Sequence, residues 1–297
     1  MSSPALQALR NADLARALAE LQNEVRRDPA QSKHRVFLFQ LLSVLGQWER
    51  ALNQLNVARD LDPSTLEMAQ TYQEALLCEA LRARVFAGER SPLFFGEPEP
   101  WMALFWQAHT LAVQGRVDEA AELRDRALAD VPTPSGRLWL HADAGSASSV
   151  DEAPPGTPPC DVPYGAGHAF EWIGDADPRL APVLEAIING RYYWVPWNRI
   201  HRIDLEKPSD LRDCVWLPAH FEWVNGGEVV GLIPARYPGS ETSTDDLVRL
   251  ARKTDWLSTD TGTTRGLGQR LLATQDTDYA LFEIRRIVWD ATPDAPS

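Results

Sequence analysis

Apolar positions in the first 140 residues recur at helical spacing, and the segments that carry them repeat. In residues 35–45 they cover a wide helical face, and Gly46 follows, a residue that readily takes the left-handed conformation that ends a helix. One glycine, two alanines and one proline recur with spacings of 5, 7 and 5 in two copies. The copies are Gly46, Ala51, Ala58, Pro63 and Gly115, Ala120, Ala127, Pro132.

The period of this repeat indicates paired helices. The two copies lie 69 residues apart, and Pro29 precedes Pro63 by 34, which is the length of a tetratricopeptide unit. We therefore predict helices over 35–45, 48–62, 103–113 and 117–129, and one long helix over 66–87. Such an array either holds a peptide or helix of a partner or serves as a scaffold for the second half of the chain.

The chain changes character after residue 140. Small and polar residues over 145–150 precede five prolines within 154–163, and such a segment buries too little apolar surface to order itself. We predict a flexible Pro/Gly/Ser-rich linker over 141–168. The expected fold class is thus multidomain α and α+β, with a TPR-like helical domain over 1–140 and a second domain over 169–297.

Short aromatic and β-branched runs dominate the second domain, which holds seven of the chain's eleven tryptophans. Strands are predicted at 192–195, 200–205, 215–217, 220–224, 229–233 and 281–289. Asn225-Gly226 predicts a hairpin, because both turn residues must tolerate positive φ. We further predict a helix over 177–189, a short helix over 245–252 capped by Ser243 or Thr244, and a loop over 259–268. The domain is expected to be mostly antiparallel α+β.

Charge and cysteine content limit the kinds of partner, compartment and cofactor that we expect for this chain. A net charge of −13 repels nucleic acid and anionic lipid and attracts basic surfaces. No apolar run is long enough to span a membrane, and the N-terminus has no signal-peptide pattern. Three scattered cysteines, Cys78, Cys160 and Cys214, favour neither disulfides nor a metal cluster. We expect a cytoplasmic protein without a cofactor.

The catalytic signatures for nucleotide, zinc-protease and hydrolase chemistry do not occur in the sequence. Asp175 and Asp177 either ligate a divalent cation or cap the helix expected after them, and capping is favoured. His220 and Glu222 fall on one face of a strand, which suits a metal site or, more simply, a solvated face. His201 near Asp204 forms no catalytic pattern.

The run 233–241 is more informative, since a strand ends there in a rigid turn. Arg236, Tyr237 and Glu241 are brought into a small space, where they form either an anchor for a carboxylate or peptide backbone or an internal salt bridge that locks the turn.

Several ordered segments resemble the ImpE family, also called SciE or TagJ. They are FEWIGDADPRL (170–180), INGRYYWVP (188–196), DLRD (210–213), NGGE (225–228), RYPGSE (236–241), RLARKTDW (249–256) and GLGQR (266–270), with GERSP (88–92) and FGEPEPWMAL (95–104) in the helical half. The resemblance covers nearly the whole chain outside the proline-rich segment.

This resemblance implies a non-catalytic accessory protein of bacterial type VI secretion. Family members bind a helix near the N-terminus of the small contractile-sheath subunit, and they are linked to sheath assembly or to recycling by the AAA+ disassembly ATPase. We expect no catalytic residue. Which of the two halves holds the sheath helix stays open, and the candidate partner-binding residues are Trp194, Trp197, Arg236, Tyr237 and Glu241. Two alternatives stay open: a metal-dependent enzyme using Asp175 and Asp177 with Arg236 and Glu241, and a self-assembling scaffold.

Overall fold

A computed structural model describes residues 3–141, 166–258 and 264–290. Its first part is helical up to residue 129. The helices are α1 (Pro4–Arg10), α2 (Leu14–Arg27), α3 (Ser32–Val44), α4 (Trp48–Leu61), α5 (Leu66–Phe86), α6 (Pro100–Val113) and α7 (Val117–Ala129), with a 3-10 turn at Pro63–Thr65 and a short strand β1 (Leu93–Phe94) before α6.

The helix pairs predicted from the repeat are confirmed. The pairs α3/α4 and α6/α7 occupy the predicted positions, and Gly46 and Gly115 between the members of each pair have φ values of 68° and 79°. The recurring alanines of α4 and α7 are fully buried, which lets neighbouring helices approach closely. The long helix predicted over 66–87 is α5. Within the described ranges, none of the helices combines the length and apolarity needed to cross a bilayer.

The second part is mostly antiparallel sheet. Its strands are β2 (Gly136–Leu140), β3 (His168–Phe170), β4 (Ile173–Asp175), β5 (Val183–Ile188), β6 (Arg191–Pro196), β7 (Ile200–Leu205), β8 (Trp216–Trp223), β9 (Glu228–Pro234), β10 (Thr254–Ser258), β11 (Thr264–Gly268), β12 (Leu271–Thr274), β13 (Asp278–Ala280) and β14 (Ile284–Trp289), with one short helix, α8 (Asp246–Arg249). Nine strands form one sheet in the order β1-β6-β5-β9-β8-β7-β14-β2-β3, in which only β1 and β6 pair in parallel.

The helices and the sheet share a hydrophobic core. Along β5 and β8, alternate side chains enter two different clusters, as the pleat of a strand requires. Val183 and Trp216 join the core that contains α3, α5 and α6, whereas Leu184 and Leu217 face a second core shared with β12 and β4. The helical part therefore packs on one face of the sheet rather than standing apart from it.

The helix predicted over 177–189 is wrong, since β5 occupies the end of that range. All six residues of β5 are buried between β6 and β9, and a short apolar run is common to buried strands and buried helices. Asn189-Gly190 does not end a helix but forms the two-residue turn between β5 and β6, with φ values of 48° and 71° and Ile188 opposite Arg191.

Three further expectations need correction. Part of the loop predicted over 259–268 is strand β11, which pairs along its whole length with β10; residues 259–263 lie outside the described ranges. The cap of α8 is Asp245, whose carboxylate accepts from the amide of Leu247 at 2.8 Å, not Ser243 or Thr244. Strand β2, which the expected boundary at 140 assigns to the helical domain, belongs to the nine-stranded sheet.

The other strands and the hairpin are confirmed. The runs predicted at 215–217 and 220–224 form the single strand β8, and the hairpin at Asn225-Gly226 joins it to β9. The closing strand begins at Ile284 rather than at residue 281. The predicted linker falls mostly outside the described residues, as does Cys160.

The shared core predicts cooperative unfolding of the whole chain. Trp216 packs against Tyr72 and Trp48, with ring centroids 5.8 and 6.1 Å apart, so Trp216→Leu should cost about 3 kcal/mol of stability. We expect far-UV circular dichroism, which reports the helices, and tryptophan fluorescence, which reports mainly the sheet, to follow one urea transition in the native chain. In the variant both should shift together. Two separated transitions would contradict the shared core.

Candidate functional site

Four of the five residues predicted to contact a partner lie in the interior. Trp194 is fully buried, and its indole N–H donates to the Tyr192 hydroxyl at 2.8 Å. The Trp197 indole donates to the carbonyl of Ala181 at 3.0 Å and its ring stacks on Trp289. Both tryptophans are therefore packed in the interior of the described structure.

Two alternatives were open for Arg236, a surface anchor and an internal salt bridge that locks its turn, and the structure shows a third arrangement. Its guanidinium is buried and donates to main-chain oxygens of Val44 at 2.8 Å, Arg249 at 2.5 Å and Ser43 at 3.4 Å. Val44 and Ser43 belong to the last turn of α3, where carbonyls lack helical partners and the helix dipole favours a cation. Arg236 thus caps α3 from the sheet.

Tyr237 and Glu241 complete the same turn. The Tyr237 hydroxyl donates to the carbonyl of Leu271 at 3.2 Å and accepts from its amide at 3.0 Å. Its ring lies so close to Gly266 that a side chain there would overlap it. Glu241 is half-buried against Gly46. The salt bridge between Arg236 and Glu241 is not formed within 4.0 Å, since Arg236 is bonded to the main chain instead.

Glu185 on β5 is the centre of a buried ion network. Arg82 of α5 donates to both of its carboxylate oxygens, from Nε at 2.7 Å and from Nη2 at 3.0 Å. Arg270 and the hydroxyl of Tyr192 donate to it as well. Burial by itself raises the pKa of Glu185, but the two arginines outweigh burial and hold the pKa below its usual value.

The network continues into both parts of the chain. Arg82 also faces Glu79, one turn earlier on α5, at 3.5 Å, and donates to the main-chain oxygen of Arg236 at 2.7 Å. Glu79 in turn accepts from the indole of Trp216 at 2.9 Å. Burial raises the pKa of Glu79, and Arg82 opposes the rise. Helix α5 and the sheet are therefore joined by charge-assisted hydrogen bonds as well as by apolar packing.

The pair Asp175 and Asp177, the alternative metal site, is held by arginines. Both Asp177 oxygens accept from Arg179, and one also accepts from the amide of Gly266 at 2.8 Å. Asp175 accepts from the Asp177 amide at 2.8 Å and lies 3.5 Å from Arg270. Burial raises the pKa of Asp175 to about 7 against the effect of Arg270. A cation would have to displace these contacts.

The two histidines singled out from the sequence lie beside carboxylates of the sheet. His220 lies 3.4 Å from Glu228, and Glu222 is bonded to Arg202 at 3.1 Å. His201 lies 4.0 Å from Glu222 rather than beside Asp204. Among the described residues, no group of three or more His, Cys, Asp or Glu side chains is arranged to hold a metal ion.

Two more helices are capped from the segment around α8. Asp246 accepts from the amide of Leu14 at the start of α2, at 2.9 Å, and Arg252 donates to the carbonyl of Arg10 at the end of α1, at 3.3 Å. An anion at a helix N-terminus and a cation at a C-terminus both match the helix dipole.

An open groove lies on the helical part of the chain. It has a volume of about 520 Å³ and lies between α1, the start of α3, the 3-10 turn after α4 and the loop 209–211; we call it the α1–α3 groove. Leu9, Val36, Phe37 and Leu211 form its apolar wall. Leu6 at its edge is 43% exposed, whereas Gln40 at its inner end is only 6% exposed.

The residues that matter most here were not singled out from the sequence. Arg82 and Glu185 lie 103 positions apart, so no local pattern joins them. The available signal was a charged residue inside a run that is otherwise apolar, as with Glu185 within VLEAII, because a buried charge needs a partner.

Removing Arg82 should destabilise the fold. Arg82→Met keeps the length of the side chain but leaves Glu79 without its ion partner and Glu185 with one arginine fewer, and breaking a buried pair in this way typically costs about 3 kcal/mol. Arg84→Met is the matched control, because Arg84 on the same helix is exposed beside Glu89. Urea denaturation measures both variants, and equal losses would contradict the network.

Asp175 should make stability depend on pH. Its pKa rises from 3.8 to about 7 on folding, so the stability it contributes is fully present below pH 3.8 and is lost as the pH rises through 7. Asp175→Asn, which stays neutral, should flatten the decline in unfolding free energy between pH 4 and 8. An unchanged pH profile, measured by urea denaturation, would contradict this assignment.

Comparison with known proteins places this architecture in a family. The model of the ImpE protein family matches residues 167–288, which include strands β3 to β14 except for the last residue of β14. The type VI secretion system accessory component TagJ of Pseudomonas aeruginosa is 44% identical over 284 residues, 96% of this chain and 90% of that protein. A Vibrio parahaemolyticus protein of known crystal structure has the same fold, with a TM-score of 0.78, 21% identity, and coverage of 97% of this chain and 98% of that chain. The chain belongs to the ImpE family.

Proposed function

We propose that this protein is a cytoplasmic, non-catalytic accessory protein of a type VI secretion system. It binds the small subunit of the contractile sheath through a helix near that subunit's N-terminus, and it acts on sheath assembly or on recycling by the AAA+ ATPase, which it meets indirectly. The observation that carries the proposal is the 44% identity, over almost the full length of both chains, with a protein named as a type VI secretion accessory component.

The interior chemistry supports an interaction protein more than an enzyme. Asp175 and Asp177, the carboxylates of the alternative metal site, are each matched by an arginine, Arg270 and Arg179. Arg236, the cation of that alternative site, is bonded to main-chain oxygens of two helices. These groups hold the fold together, and each would have to give up a buried bond to reach a substrate.

A capture experiment tests the partner. The full chain, immobilised through a tag, should retain the purified small sheath subunit and should fail to retain a version that lacks the N-terminal helix. Equal retention of both versions would contradict recognition of that helix, and retention of neither would contradict the sheath as partner. Light scattering of the chain alone at rising concentration checks the scaffold alternative, for which assemblies grow without any partner.

The charge of the chain predicts salt dependence. With a net charge of −13, the protein should favour a helix with basic residues beside its apolar stripe. Raising the salt from about 0.05 M to about 0.5 M should therefore weaken capture severalfold, because exposed charges are screened. Retention that is the same at both salt concentrations would contradict the electrostatic contribution.

A further inference from the structure

The edge strands of the described sheets differ in length. Strands β1 and β3 at the edges of the nine-stranded sheet, and β4 and β13 at the edges of the three-stranded sheet, have only two or three residues. Such short edges are one way in which proteins avoid unwanted strand pairing. The two strands of the remaining sheet, β10 and β11, have five residues each. They therefore have the longest edges without a neighbouring strand in the described part of the chain.

The outer edge of β11 is already bonded. The amide of Gly266 donates to Asp177 and the amide of Gly268 donates to the hydroxyl of Ser240, each at 2.8 Å. The carbonyl of Gly268 accepts from the amide of Tyr237 at 2.9 Å. These main-chain groups, which point away from β10, are thus bonded to the turns beside the strand.

The outer edge of β10 is open. In an antiparallel pair the hydrogen bonds pass through alternate residue pairs. Since the two glycines of β11 face outward, the pairs that bond β10 to β11 are Asp255–Leu267 and Leu257–Arg265. The N–H and C=O groups of Thr254, Trp256 and Ser258 therefore point away from β11, and no hydrogen bond joins these groups to any other described residue. An edge of this kind is a template for another strand.

Apolar side chains on β10 are also partly exposed. Trp256 is 40% and Leu257 39% exposed. The residue opposite Trp256 in β11 is Gly266, which has no side chain to cover the indole. The indole ring contacts the ring of Tyr237, with centroids 5.7 Å apart. Trp256 is thus held in place by Tyr237 while much of its surface stays exposed on a strand with an open backbone edge.

The charge around β10 differs from that of the whole chain. Residues 245–268 contain four acidic and four basic residues, whereas the chain has a net charge of −13. Lys253 lies between two of the carboxylates, 3.1 Å from Asp245 and 3.0 Å from Asp255. A second copy of the chain can approach this balanced segment with less repulsion than the net charge creates at the acidic surfaces.

The strand is complementary to itself. When two β10 strands pair antiparallel with the two-fold axis at Trp256, the two Trp256 residues lie opposite each other and Thr254 lies opposite Ser258 of the other copy. Each of these pairs exchanges both of its N–H···O=C bonds, because these residues point outward from β11. The indoles form a cross-strand aromatic pair, and the two Leu257 side chains are diagonal neighbours on the other face.

We propose that two copies of this chain pair through β10 and join their hairpins into one four-stranded antiparallel sheet. The matched aromatic and hydroxyl pairs favour a second copy over a strand of another protein. The dimer is closed, because the outer edges of both β11 strands are bonded within their own copies. This interface does not depend on the proposed function, so binding of the sheath subunit and pairing of the chain are tested separately.

Sedimentation velocity of the full chain over a range of concentrations measures the pairing. Ser258→Pro removes an outward-pointing amide and leaves the bonds between β10 and β11 in place, since proline is tolerated at an edge. The dissociation constant of the dimer should rise at least tenfold. Ser258→Ala keeps the amide and, as the matched control, should pair like the native chain. A native chain that stays monomeric, that grows beyond a dimer, or that pairs equally well with Ser258→Pro overturns the proposal.

Charges at the two-fold axis test the register. Trp256→Lys and Trp256→Glu each place like charges directly opposite, and each should raise the dissociation constant at least tenfold. An equimolar mixture sets a lysine opposite a glutamate and should form dimers at low salt where neither variant alone does. Trp172→Lys is the control, because Trp172 is 39% exposed and lies outside β10; it should pair like the native chain.

Circular dichroism shows that each variant is folded before its pairing is measured. A mixture that pairs no better than its two components overturns the proposed register. If the native chain is monomeric and Ser258→Pro abolishes capture of the sheath subunit, the open edge takes a strand of that subunit and the proposed dimer is overturned.

Discussion

A carboxylate without access to water must be paired with cations. The carboxylate of Glu185 is paired with two guanidinium groups. Arg82 reaches it from α5 and Arg270 from the segment that precedes β12. Arg82 also bonds to the main chain of Arg236, whose guanidinium caps α3. This single series of bonds runs from the middle of the sheet to the end of a helix. It joins the helical part and the sheet into one folded unit, because neither of them satisfies these charges alone.

In this arrangement the helical repeat packs on the sheet of the same chain. In a free-standing array the inner helix faces are open to a partner, but here Tyr72 and Phe86 of α5 pack on Trp216 and Trp194 of the sheet. The sheet therefore covers the face of α5 that carries these two aromatic side chains.

The sequence predicted the features that depend on local geometry. Helix ends at Gly46 and Gly115, and the hairpin at Asn225-Gly226, follow from backbone conformations that few residues tolerate. It did not predict β5, since a buried strand and a short buried helix have the same apolar run. It also left open whether Arg236 anchors a partner or locks its own turn, because a sequence does not reveal which distant carbonyls a guanidinium will meet; Arg236 and Val44 are 192 positions apart. The prediction that these residues contact a partner stays a prediction.

The caps on α1, α2 and α3 have a consequence for how such chains diverge. Arg252, Asp246 and Arg236 complete helix ends more than 190 positions earlier in the sequence. A substitution around α8 therefore changes the capping of the first helices. A compensating substitution must then arise at a position far away in the sequence. The residues at these helix ends and their caps are expected to change together during evolution. A chimera that takes its two halves from different relatives would then combine helix ends with caps that did not evolve with them.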